Sequence, residues 1–248
     1  MPQPQADPQT QSATNTVIAA AAAAELASLW PSIDLTAPGA VALVAAAYYA
    51  VVKKWGMAAA TSAAEHYDAV RAAQKIAGRF RAVPADPIPR DVIDAVVRSA
   101  FQGDPNADGT TSALPAEERV PSRLNEAVGR HVLQPGRDTI VANGAKDPAQ
   151  PKGWARVVTS DHPCAFCVLM ASRTNLYKSK RAGGDSRILA NADRYHKKCS
   201  CIAVPVFNTG PPSQQGHFDM YDKAAANAGT RSDPKKVLAE MRKLYDLK

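Results

Sequence analysis

A chain of 248 residues, 46% hydrophobic and 21% charged, has room for one moderate domain or two small ones with a real core, which excludes a disordered or fibrous protein. Only 6% of it is aromatic and much of the apolar fraction is alanine, a composition that points to closely packed helices. The net charge of +7 belongs to the later part, since the first basic residue is Lys53. No basic region precedes an apolar stretch at the N-terminus, so no secretory signal is expected. The apolar run 37–52 falls short of the roughly 20 residues that a membrane span requires and reads as a buried helix. Without secretion the cysteines meet a reducing cytosol, which disfavours disulfides.

Residues 1–15, "MPQPQADPQTQSATN", are polar with three prolines and are expected to form a flexible arm. A short first helix follows from Thr16, with Ile18, Ala22, Leu26 and Leu29 on one face and Pro31 closing it. The second and longest helix spans 40–81, because nothing forces a break before Pro84. Along it Val41, Val44, Tyr48, Val51 and Trp55 alternate steps of three and four, the spacing of a seam that packs within the chain or against a second copy. A third helix over 89–101 buries Ile93, Val96, Val97 and Ala100. "GDPNADGTTS" is a loop, and a fourth helix over 121–133 breaks at "QPG" before a shorter stretch through Ile140 and Val141. Residues 16–145 therefore read as an all-α domain.

The character then changes. "WARVVTS" (154–160) and "CIAVPVF" (201–207) are short valine-rich strands, the second at an edge or a bulge because Pro205 cannot donate to a ladder. Residues 211–248 comprise a linker, with His217 exposed in it, and a last helix capped by Asp233 and started by Pro234. Val237, Leu238, Met241, Leu244 and Tyr245 form a stripe on that helix which must dock on something. The expected fold is mainly α: an elongated N-terminal helical region, a small α+β zinc-stapled module over 146–210, and a C-terminal amphipathic helix.

All four cysteines lie in two knots, "HPCAFC" (162–167) and "YHKKCSC" (195–201). Tetrahedral Zn2+ is commonly held by two turn-borne ligand pairs. Cys164-x-x-Cys167 makes one pair, while His196-x-x-Cys199-x-Cys201 offers three donors for two places. The expected ligands are Cys164, Cys167 and Cys199, with either His196 or Cys201 as the fourth. A zinc held this way is structural and contributes folding energy, on the order of 10 kcal/mol in small zinc peptides. His162, directly before Pro163, reads as a turn residue.

Pro163-Cys164-Ala165-Phe166-Cys167 also fits half of the zinc deaminase signature. The other half, H-x-E, is missing: Tyr67 and Asp68 follow His66, and Val132 and Leu133 follow His131. No phosphate loop, H-E-x-x-H helix or nucleophile elbow occurs, and no enzymatic activity is expected. Lys178, Lys180, Arg181, Arg187, Arg194, Lys197 and Lys198 against Asp185 and Asp193 suit phosphates or acidic protein surfaces, and equally a solvated loop.

Trp154, the C-x-x-C, the H-x-x-C-x-C and Pro205-Val206 together resemble the MuF-like minor head proteins of tailed bacteriophages, the phage head-morphogenesis family. The match is closest in character to the versions in phages of actinobacterial hosts. It covers residues 153–207, through "GWARVVTSDHPCAFCVLMASR" and "YHKKCSCIAVPVF". The family's histidine is often followed by Pro-Asn, where Lys197-Lys198 stand here.

The resemblance implies a low-copy minor capsid protein inside the head near the portal, present in the host cytoplasm during assembly. It would assist head morphogenesis and DNA packaging or ejection, with portal, capsid or scaffolding protein as partners and packaged DNA within reach of Lys178 to Lys198. It implies no membrane, and the helical seam could join copies of the chain. No fused protease or toxin domain is expected. The alternative reading is a zinc-dependent nucleic-acid-binding protein or nuclease.

Overall fold

A computed structural model describes residues 6–102, 114–160, 163–172, 201–207 and 214–247. Among these residues the elements in chain order are helices α1 (Pro8–Leu29), α2 (Ala40–Ala73), α3 (Arg90–Gln102) and α4 (Ala116–Lys146), strand β1 (Gly153–Val157), helix α5 (Ala165–Ser172), strand β2 (Ile202–Val206), and helices α6 (Gln215–Asn227) and α7 (Pro234–Tyr245). A single 3-10 turn, Trp30–Ser32, follows α1. The chain divides into two compact units. One comprises Thr14–Ser62 and Pro84–Gly136; the other comprises Met1–Ala13, Ala63–Val83 and Arg137–Lys248. The division falls within α1, α2 and α4.

In the first unit Ile18, Ala22 and Leu26 of α1 meet Val44, Tyr48, Val51 and Val52 of α2, Ile93 and Val97 of α3, and Val120, Leu124, Val128 and Val132 of α4. The expected seam on α2 thus packs within the chain, except at its N-terminal end, where Val41 is exposed. Ala40–Ala73 is long and apolar enough to cross a membrane by length and composition, yet Val44, Tyr48, Val51, Val52 and Ala59 are buried in this core, and Ala63, Tyr67 and Val70 in that of the second unit. Tyr48 and His131 share a buried hydrogen bond of 2.7 Å between the hydroxyl and Nδ1.

Three expectations about helix ends are corrected. The first helix begins at Pro8, well inside the segment expected to be a flexible arm. Asp7 is the reason: its carboxylate accepts from the Gln9 N–H at 3.2 Å and the Thr10 hydroxyl at 3.4 Å, and Pro8 brings its pre-set φ to the first helical position. The second helix ends at Ala73, not 81. Lys75 adopts φ 53°, its N–H bonds the Ala72 carbonyl at 3.0 Å, and the Ile76 N–H bonds the Arg71 carbonyl at 2.9 Å, which is a Schellman stop without glycine.

The fourth helix runs through "QPG" with Pro121 and Pro135 inside it. Proline in a helix interior forfeits a hydrogen bond, so something outside the helix must favour continuity. That something is α2. A Cβ on Gly56 would lie 3.2 Å from Pro135 Cγ, and one on Gly136 would lie 2.9 Å from the Ala59 carbonyl oxygen. The Pro135 ring packs where Gly56 leaves space, and the backbone at Gly136 packs where no side chain could fit.

In the second unit β1 and β2 form an antiparallel ribbon with Trp154 opposite Pro205 and Val157 opposite Ile202, which places the strands where the sequence suggested. Trp154, Ala203 and Phe207 pack with Tyr67, Val70, Ile140 and Met170, while Val157, Ile202 and Val204 form a separate cluster. Residues expected to be linker form α6. Ala224 and Ala225 of α6, with Val237 and Met241 of α7, close over Ala165, Val168 and Leu169 of α5. The C-terminal stripe therefore docks on the helix that carries Cys167.

Candidate functional site

The ribbon register determines what meets beyond its open end. Because Val157 pairs with Ile202, the next residues along, Val158 and Cys201, leave the ribbon side by side. From Val158 the chain continues to Cys164, and α5 begins one residue later. Cys164 holds the N-cap position: its carbonyl accepts from Val168 N–H at 3.1 Å, and its Sγ accepts from Cys167 N–H at 3.1 Å. The Cys167 side chain then turns inward. Val158, Cys167, Ala171 and Cys201 form one buried cluster, with the half-buried Cys164 packed against it.

Thus three of the five candidate ligands, Cys164, Cys167 and Cys201, are gathered from two segments separated by some thirty positions in the chain. His196 and Cys199 lie outside the described residues, as do His162 and the basic side chains Lys178, Lys180, Arg181, Arg187, Arg194, Lys197 and Lys198. Among the described residues no three His, Cys, Asp or Glu side chains form a metal-binding group, so what is seen is apposed thiols, not a coordination sphere. Their chemistry suits a soft or borderline divalent ion, and an N–H donated to sulfur, as at Cys164, is the outer contact that orients a thiolate ligand.

Three groups of residues unremarked in the sequence support this cluster. Gln214 reaches β1 with both ends of its amide: Nε2 donates to the Arg156 carbonyl and Oε1 accepts from Val158 N–H, each at 2.9 Å. It thereby fixes the segment leading to the thiols. Thr159 donates its hydroxyl to Ser12 Oγ at 2.7 Å, which ties the start of α1 to the same segment.

The other end of the ribbon rests on a buried ion pair. Arg71 Nη1 lies 3.0 Å from Asp147 Oδ2, Tyr67 donates its hydroxyl to the same oxygen at 3.0 Å, and Phe80 and Phe207 lie against the guanidinium at 5.3 and 5.8 Å. Burial and the Asp147 carboxylate together push the Tyr67 hydroxyl well above the ordinary phenol range. Asp147 also accepts from Ala149 N–H at 2.9 Å, shaping the turn into β1.

His217 is not an exposed linker residue: it lies in the first turn of α6, half-buried, and burial lowers its pKa. A signal for that helix is present in the sequence, since Tyr221, Ala224, Ala225 and Ala228 repeat at three- and four-residue steps.

The profile of the VG15 protein family matches residues 1–234. The chain is 30% identical over 135 residues to the Gene 15 protein of Mycobacterium phage D29, covering 43% of this chain and 49% of that protein. It is 28% identical over 119 residues to the Gene 15 protein of Mycobacterium phage L5, covering 35% of this chain and 40% of that protein. The chain thus spans about half, or less, of the length of these curated relatives. No solved structure matches it.

Proposed function

Because the chain belongs to the VG15 protein family, and its curated relatives are mycobacteriophage gene 15 proteins, we propose that it is a minor head protein of a tailed phage of an actinobacterial host. In this reading it resides at low copy inside the capsid near the portal and is present in the host cytoplasm during assembly. It binds portal, capsid or scaffolding protein and assists head morphogenesis and the packaging or ejection of DNA. The basic side chains between Lys178 and Lys198 would supply the charge that attracts DNA or an acidic protein surface.

The observation that carries the reading is the convergence of Cys164, Cys167 and Cys201 on one cluster, which is what the MuF-like pattern requires of its two knots. A structural zinc would be held by Cys164, Cys167 and Cys199, with His196 or Cys201 completing the set. Bound there, it would supply a tether between α5 and the start of β2 and would contribute folding energy to the module. The chain's own part is to pre-form the clasp through the N-cap at Cys164, the Gln214 amide and the α6 and α7 cover.

Mass spectrometry of purified particles tests the assignment. A few copies of the chain per particle are expected, and absence from particles overturns it. Metal analysis of protein purified without chelator tests the clasp. About one zinc per chain is expected, lost in Cys164→Ser. Retention in Cys201→Ser assigns the fourth position to His196, and a zinc content unchanged by Cys164→Ser removes Cys164 from the set.

A further inference from the structure

The geometry at the start of α5 does more than present metal ligands, and we propose that Cys164 and Cys167 form a redox-active dithiol that closes to a disulfide under peroxide. The N–H of Cys167 reaches Cys164 Sγ at 3.1 Å, so that sulfur sits over the very residue that carries the second thiol. A C-x-x-C at a helix start is the spacing that disulfide oxidoreductases use for their reversible bridge. The two thiols are also unequal in access: Cys164 is half-buried and reachable from solvent, whereas Cys167 is 1% exposed. An accessible thiol backed by a buried one is the arrangement in which the first meets the oxidant and the second resolves it.

The step balances with hydrogen peroxide as oxidant. The Cys164 sulfur attacks one peroxide oxygen and the O–O bond breaks, giving a sulfenic acid and water. The Cys167 sulfur then displaces the sulfenic oxygen as a second water, and the S–S bond forms. In sum two thiols and one peroxide become a disulfide and two waters, both electrons passing from the sulfurs to oxygen. Cys201 lies in the same cluster at the foot of β2 and is the competing partner for Cys167.

This inference extends the zinc reading. Closing the disulfide removes two of the four ligands, so oxidation and metal retention oppose one another. The clasp would form in the reducing cytoplasm and open in an oxidising medium.

The test uses the full-length reduced chain, zinc-loaded and chelated, treated with stoichiometric hydrogen peroxide, alkylated and mapped by mass spectrometry. Loss of two of the four thiols is expected, with Cys164 joined to Cys167 and with zinc released in step from the loaded form. Cys201→Ser keeps the linkage and Cys164→Ser loses it. A Cys167–Cys201 linkage, or four thiols surviving peroxide in the chelated chain, overturns the proposal, and the wild-type map decides this even where a variant fails to fold. Metal content of the untreated protein tests the zinc reading separately. A chain that never binds zinc yet forms the Cys164–Cys167 bond refutes that reading and leaves the dithiol standing.

Discussion

Arg71 and Asp147 form an ion pair sealed from water, with side chains 6% and 0% exposed and 3.0 Å between Nη1 and Oδ2. A buried pair of this kind adds little net stability, because desolvating both charges offsets most of their attraction, but removing one partner strands the other. Asp147→Ala leaves a buried guanidinium and strips the Tyr67 hydroxyl and the Ala149 N–H of their acceptor. A loss of about 3–5 kcal/mol is expected in urea denaturation. A loss under about 1 kcal/mol would show that water reaches Arg71.

Gly136 tests the contact that carries α4 through its proline. Gly136→Ala raises helix propensity, worth about 1 kcal/mol, yet places a methyl group 2.9 Å from the Ala59 carbonyl oxygen, where backbone must move. The clash should win, with a net loss of about 1–3 kcal/mol and a lower melting temperature. Gly56→Ala meets only the Pro135 ring, at 3.2 Å, and should cost less. Equal effects from the two would contradict the asymmetry.

Lys75 stops α2 in a conformation that L side chains adopt at a cost. With φ 53° and both terminal hydrogen bonds made by backbone groups, Lys75→Gly keeps the motif and removes the side-chain crowding. A gain of up to about 1 kcal/mol is expected by chemical denaturation. A loss would mean that the lysine side chain contributes something the backbone geometry does not show.

His131 predicts an acid dependence. Burial, with the Arg130 charge as a lesser cause, pushes its pKa down to about 3 from the ordinary 6.5. The folded chain keeps the imidazole neutral while the unfolded chain protonates it. The contribution is therefore complete above pH 6.5 and is lost progressively as pH falls from there toward 3. Between pH 7 and pH 5 the wild type should lose about 2 kcal/mol more than His131→Gln, measured by urea midpoints at each pH. Parallel losses in the two proteins would show that His131 is solvated.

Much of the candidate site could be read in advance. The paired cysteine knots, the flanking strands and the closing stripe on α7 all carry short-range signatures, and Asp233 caps α7 as its Asp-Pro dipeptide implies. The same dipeptide at Asp7-Pro8 starts α1, where the polar composition around it pointed to a flexible arm. The buried acidic partner of Arg71 had no such signature, since Asp147 stands in an ordinary turn sequence and its meaning comes from residues 76 positions away.

By itself the sequence determined local matters: where alanine and three-four spacing make helices, which strands are valine-rich, and that all four thiols belong to two knots. Local backbone energetics and side-chain periodicity reach only a few residues, and that is far enough for such features. The tertiary structure alone decided that α4 passes through Pro135, because the hollow over Gly56 and the bare backbone at Gly136 exist only when two helices meet. It alone decided which thiols share a cluster, because Cys201 reaches Cys167 through the register of a ribbon whose strands are far apart in the chain.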